Sequence, residues 1–108
     1  MGGAGAEVGG PFAERVRQAW KAAGREGEPR LVALAYFGIG EDAEERGGAY
    51  LSDYYGGFGP RIAAGMPKRP EELRAAVTRF EDAGFTDMFF DPSIAELDQL
   101  ERLADAVL

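Results

Sequence analysis

Apolar residues recur along this chain in two rhythms. Leu31 to Phe37 (LVALAYF) is a near-continuous apolar run, and Thr86 to Phe90 (TDMFF) is a shorter one. Both predict strands. The first has the character of a strand buried on both faces inside a parallel, helix-covered sheet. Elsewhere the apolar positions fall three and four residues apart, the spacing of one helix face. Phe12, Val16, Ala19, Trp20 and Ala23 predict a helix over Pro11–Ala23. Ala43, Gly47, Tyr50, Leu51 and Tyr54 predict an inward stripe on a second helix, Glu41–Tyr55, with one further turn over Arg61–Gly65. Leu73, Ala76, Val77, Phe80 and Ala83 predict a third helix, Pro70–Ala83, closed by Gly84 with Phe85 folding back on it. Ser93 and Glu96 have the spacing of a capping box, opening a last helix on which Ile94, Leu97, Leu100, Ala104 and Val107 share a face.

The expected order is α-β-α-α-β-α, and the expected class is α/β. Residues 1–10 hold five of the chain's glycines and read as a flexible loop ahead of a structured 11–108. Two parallel strands alone cannot bury both faces of a sheet and leave its edges open. The pattern therefore predicts part of a larger α/β fold, and for this chain alone either self-association or a loosely packed monomer.

Composition narrows the chemistry. A chain of 108 residues makes at most one domain. With no cysteine and no histidine, disulfides, thiolate and imidazole metal sites, and Ser-His-Asp or Cys-His catalysis all fall away. A metal site is not expected. The net charge of −7 argues against a nucleic-acid partner, because the ten arginines are scattered among acids. No apolar run reaches the roughly 18 residues that a membrane span needs, and no secretory signal pattern is visible at Met1. A cytoplasmic location is the expectation.

Three motifs bear on chemistry. Gly38-Ile-Gly40-Glu-Asp-Ala43 has the form of a dinucleotide fingerprint, but Glu41 and Asp42 stand where a pyrophosphate would dock, and no acidic strand end follows at about 20 residues. A tight turn with a dipole-matched helix start explains the same residues. Tyr50, Tyr54, Tyr55 and Phe58 form an aromatic stripe suited to stacking on a planar ring, although helix core is the commoner use of such a stripe. Asp87 and Asp91 lie about 13 Å apart along an extended strand, too far to cooperate as an acid/base pair. Asp91 is expected in a turn or a helix cap, and its place at a strand's carboxyl end, where α/β active sites collect, keeps a functional role open.

The stretch from Ala23 to Phe37 resembles the connector and penultimate barrel strand of the luciferase-like monooxygenase family, the bacterial-luciferase type of flavin- or deazaflavin-dependent oxidoreductase. Tyr50–Tyr55 with Gly59 and Pro60 is similar to the helix that follows. Ala83–Pro92 is similar to the last strand, and Leu97–Ala104 to the terminal helix. The likeness runs from about Phe12 onward, carried by the order and spacing of these segments. It implies that the chain is the C-terminal segment of a TIM (β/α)8 barrel: its last two βα units and the helix before them. Residues 1–10 would then be an interior loop of the parent. FMN or the deazaflavin coenzyme is implied at the barrel mouth, with Tyr36, Phe37 and Gly38 after the first strand and Phe90 and Asp91 after the second as lining candidates, and Gly2 and Gly3 near the same mouth. The family's phosphate loops and catalytic groups lie largely on earlier strands, so no catalytic residue is carried over. Alone, the chain is expected to be inactive, its partner being the complementing N-terminal barrel portion. The alternative is a non-enzymatic remnant, a homo-oligomer formed through open strand edges.

Overall fold

The structure, a computed structural model, describes residues 5–108. Helix α1 spans Ala6–Ala22, strand β1 Val32–Phe37, helix α2 Ala43–Tyr55, helix α3 Gly59–Gly65 after a 3-10 turn at Gly56–Phe58, helix α4 Pro70–Asp82, strand β2 Asp87–Pro92 and helix α5 Asp98–Val107. The two strands pair in parallel, with Val32 opposite Asp87 and Phe37 opposite Pro92. The class is α/β, mostly helical around two parallel strands, as the apolar pattern predicts.

Partners opposite each other in a parallel ladder share a face, and successive residues alternate. One face therefore carries Ala33, Ala35 and Phe37 with Met88 and Phe90. The other carries Leu34 and Tyr36 with Phe89 and Asp91. Helices α1, α4 and α5 cover the first. Toward the amino ends of the strands, Leu31 and Ala33 pack with Ala13, Phe80 and Phe85. Toward the carboxyl ends, Phe37 packs with Leu73 and Ala106, flanked by Phe90, Leu103 and Val107. A third cluster, Leu51, Ala63 and Met66, joins α2 to α3 and reaches Tyr36. The second face has no helix along its length, and the buried residues of β1, Ala33 and Phe37, lie on the first face only. That corrects the expectation of burial on both.

Several local signals translate directly. Gly84 takes φ +92°, Phe85 donates its N–H to the Phe80 carbonyl at 3.1 Å, and the two rings meet edge to face at 5.3 Å. Gly24 closes α1 in the same left-handed region, φ +74°. Other signals are corrected. Residues 6–10 are helix, not loop, so Pro11 lies inside α1 and removes one intrahelical bond there. The inner face of α1 is accordingly Gly9, Ala13 and Val16, small enough for close approach, and Phe12 and Ala19 turn outward. Trp20 instead lies under the Arg25 guanidinium, 4.0 Å from the ring centre. Residues 1–4, with Gly2 and Gly3, lie outside the described residues.

The capping box does not form either. Ser93 is buried, and its hydroxyl donates to the Phe37 carbonyl at 2.8 Å, while Glu96 pairs with Arg46 at 2.6 Å. Both side chains tie α5's lead-in to neighbouring elements, and α5 begins five residues later, at Asp98. The helix is thereby rephased: Gln99, Leu103 and Ala106 face inward, and Leu97 and Leu100 are exposed. The glycine in mid-α2 has a packing reason as well. A Cβ on Gly47 would stand 2.5 Å from Met66 Cε and 2.6 Å from Ser93 Oγ, so the bare backbone lets α2 seat over the ends of both strands.

The molecule is a slab, 48 × 32 × 19 Å, with a radius of gyration of 15.1 Å, against about 13 Å for a compact chain of this length. It exposes 6857 Å², where a compact monomer of its mass exposes about 5,800 Å². Among the described residues no helix is long and apolar enough to cross a membrane.

Candidate functional site at the carboxyl ends of the strands

The five mouth-lining candidates separate into two groups. Tyr36 and Asp91 are register partners on the open face. Phe37 and Phe90 alternate to the covered face, where their rings meet edge to face at 6.0 Å in the core, so neither lines an accessible surface with its neighbours on the open side. Gly38 is buried beneath Met66, Ser93 and Ile94, and a Cβ there would meet all three within 3.3 Å. Its lack of a side chain serves packing. Period-two alternation separates them: the side chains of consecutive strand residues point to opposite faces of the sheet.

Tyr36 anchors the open-face group. Its hydroxyl shares a hydrogen bond of 2.6 Å with that of Tyr55, and their rings meet edge to face at 5.9 Å. That bond, with burial and then the fields of Tyr55 and Asp91 behind it, pushes the Tyr36 phenol above its ordinary pKa. The group stays neutral and hydrogen-bonding through the physiological range. Tyr54 packs edge-on against Tyr55 at 4.8 Å. The aromatic stripe is therefore surface and not core: Tyr50 is 47%, Tyr54 75% and Phe58 68% exposed. Ala43, Gly47 and Leu51 already fill the inward face of α2. The tyrosines, one position back, rotate by about 100° away from it.

The two carboxylates of β2, too far apart to cooperate, have different fates. Asp87 receives two hydrogen bonds from Arg30, at 2.9 and 3.1 Å, and one from the Thr86 hydroxyl at 2.7 Å. These hold its pKa down to about 2. Asp91 lies in β2, not in a turn or cap, and makes no ion pair among the described residues.

Beside Tyr36 opens a cleft of about 400 Å³ that no single segment announces. Val8, Ala35, Ile62 and Phe80 give it apolar walls, and Arg61 and Arg79 stand over it. Neither arginine makes an ion pair among the described residues. Four elements contribute, so no spacing in the sequence carries the signal. Gln99 was missed for a similar reason. It is 2% exposed, accepts the Ile39 N–H at 2.8 Å and donates to the Ile39 carbonyl at 3.0 Å, fastening α5 to the loop after β1. Among the described residues no group of three His, Cys, Asp or Glu is placed to hold a metal.

The arrangement offers an aromatic wall, a carboxylate without an ion pair and a hydrogen-bonded pair of tyrosine hydroxyls at the carboxyl ends of parallel strands. Comparison with protein families, curated proteins and solved structures finds no match for this chain.

Proposed function

We propose that the chain is the C-terminal segment of a luciferase-like (β/α)8 barrel, contributing a wall of a flavin or deazaflavin site to a cytoplasmic oxidoreductase. The observation that carries this reading is the open sheet face: two parallel strands, covered by helices on one side, present Tyr36 and Asp91 at their carboxyl ends on the other. A barrel places its helices outside and its ligand at that end.

The residues fit the cofactor in part. Tyr36, Tyr54 and Tyr55 supply ring faces and edges against which an isoalloxazine can lie. Nothing among the described residues encloses such a ring. The bound cofactor would supply the hydride or oxygen chemistry. This chain's residues orient and exclude water, and no catalytic group is assigned to them. Alone, the chain is inactive, and its partner is the polypeptide carrying the six preceding βα units.

The test is complementation. The 108-residue chain is titrated with FMN, and separately with a deazaflavin, before and after mixing with a six-unit partial barrel of a luciferase-like enzyme. Cofactor fluorescence should change saturably only in the mixture, and Tyr36→Ala should weaken that binding. A mixture that binds no better than the partial barrel alone overturns the reading.

A further inference from the structure

Strand β1 has a second edge, away from β2. The Leu31 carbonyl accepts the Asp87 N–H at 3.1 Å, and the Phe37 carbonyl accepts the Ser93 N–H at 2.9 Å. Main-chain groups of successive strand residues point to alternate sides. Ala33 and Ala35 therefore also bond toward β2, and Leu34, Tyr36 and Gly38 point to the outer edge. Gly38 donates its N–H there to the Pro67 carbonyl at 3.2 Å. Leu34 and Tyr36 make no main-chain hydrogen bond on that side among the described residues. Their N–H and C=O groups form a short unpaired row, and such a row is a template for another strand.

The cleft of about 400 Å³ lies along the same edge: Ala35 and Tyr36 line it together with Pro67, the partner of Gly38. Val8, Ile62 and Phe80 make its walls apolar. Arg61 and Arg79 belong to its lining, and neither makes an ion pair among the described residues. Glu7 is the only acidic residue of that lining among the described residues, so positive charge prevails. A small apolar molecule would leave the main-chain groups and the guanidinium groups unmatched. An extended peptide matches all three features: a main chain for the edge, an apolar side chain for the walls and a carboxylate for the arginines.

We propose that this edge and its cleft bind an extended, acidic segment of another polypeptide, which adds as a third strand beside β1. Its main chain pairs with Leu34 and Tyr36, an apolar side chain enters the cleft, and a carboxylate meets Arg61 or Arg79. Neither the open sheet face nor a flavin takes part, so this site and the flavin reading fail separately.

Amide hydrogen exchange followed by NMR on the intact chain tests this. The probe is a short capped peptide of alternating valine and threonine with a glutamate at each end. In the free chain the Leu34 and Tyr36 N–H groups should exchange faster than those of Ala33 and Ala35, which β2 protects. The peptide should slow exchange at Leu34 and Tyr36 saturably, and methylating its alternate main-chain nitrogens should abolish the effect. Arg61→Gln combined with Arg79→Gln should weaken binding by about 10-fold or more, the size of a charge-assisted hydrogen bond. The circular dichroism spectrum should not change, because both side chains are exposed. A peptide that protects neither amide overturns the proposal. So does protection at Met88 and Phe90, on the outer edge of β2, in place of Leu34 and Tyr36. Equal binding of the methylated peptide, indifference to the arginines, or slow exchange at Leu34 and Tyr36 in the free chain overturns it as well.

Discussion

The two faces of the same two-stranded sheet could hardly differ more. On one, Ala33 and Phe37 are 1% and 0% exposed under three helices. On the other, Tyr36 packs against the α2–α3 cluster at the carboxyl end, and Phe89 is exposed. Both faces carry large apolar residues, and the open one also carries Asp87 and Asp91. The difference is one of supply: helices α1, α4 and α5 provide amphipathic faces for one side of the sheet, and only the α2–α3 pair approaches the other. An apolar strand residue thus reports that something covers it, without saying whether the cover lies in the same chain. The covered face holds the fold together.

The contrast is sharpest in truncations. Phe37→Ala removes a fully buried ring that touches Phe90 and Leu73 and should cost about 3–5 kcal/mol. Phe89→Ala, in a chain dilute enough to be monomeric, should change stability by no more than about 0.5 kcal/mol. Urea unfolding midpoints decide it, and equal costs at the two positions would erase the distinction between the faces. Gln99→Leu comes next. It leaves the part-buried Ile39 N–H without its partner, whereas the Ile39 carbonyl keeps a bond from Arg102 at 3.2 Å. A loss of about 1–3 kcal/mol is expected, with faster hydrogen exchange at Ile39. No loss would mean that the covered face holds without its polar clasp.

The smallest effect is electrostatic and lies at the open face's amino end. Asp87 titrates near 2 in the fold and near 3.9 in an unfolded chain. Its carboxyl pKa is depressed by folding, so the Arg30–Asp87 pair contributes fully above about pH 4 and is lost as pH falls through about 2. The urea midpoint should fall over that window less steeply in Asp87→Asn than in the parent chain. The pair is exposed, so the difference is small.

Much of the fold was legible because its signals are local. The left-handed Gly84 with Phe85 docked on Phe80, the helix over residues 70–82 and the two strands each follow from a few neighbouring residues. The errors fell where distant groups compete for the same side chain. Ser93 and Glu96 have the spacing of a cap, yet the Phe37 carbonyl and Arg46 claim them first. Pro11 looks like a helix start, yet helical turns continue upstream of it once Ala6 and Ala13 have a core to pack on. At the candidate site, Tyr36 and Asp91 emerge together and Phe37 and Phe90 part from them, an outcome the alternation of a strand contains as soon as its register is fixed.

The sequence by itself determined the two parallel strands, the order of the long helices around them and the absence of thiol and imidazole chemistry. Those depend on short-range spacing and on composition. Gly59–Gly65, expected as one further turn, is a helix of its own. Only the tertiary structure decided which strand face is covered, that the tyrosines of α2 lie outside the core, and that Arg61 and Tyr36 share one cleft. Each of these joins residues distant along the chain, and their placement depends on how many helices are present to bury apolar surface.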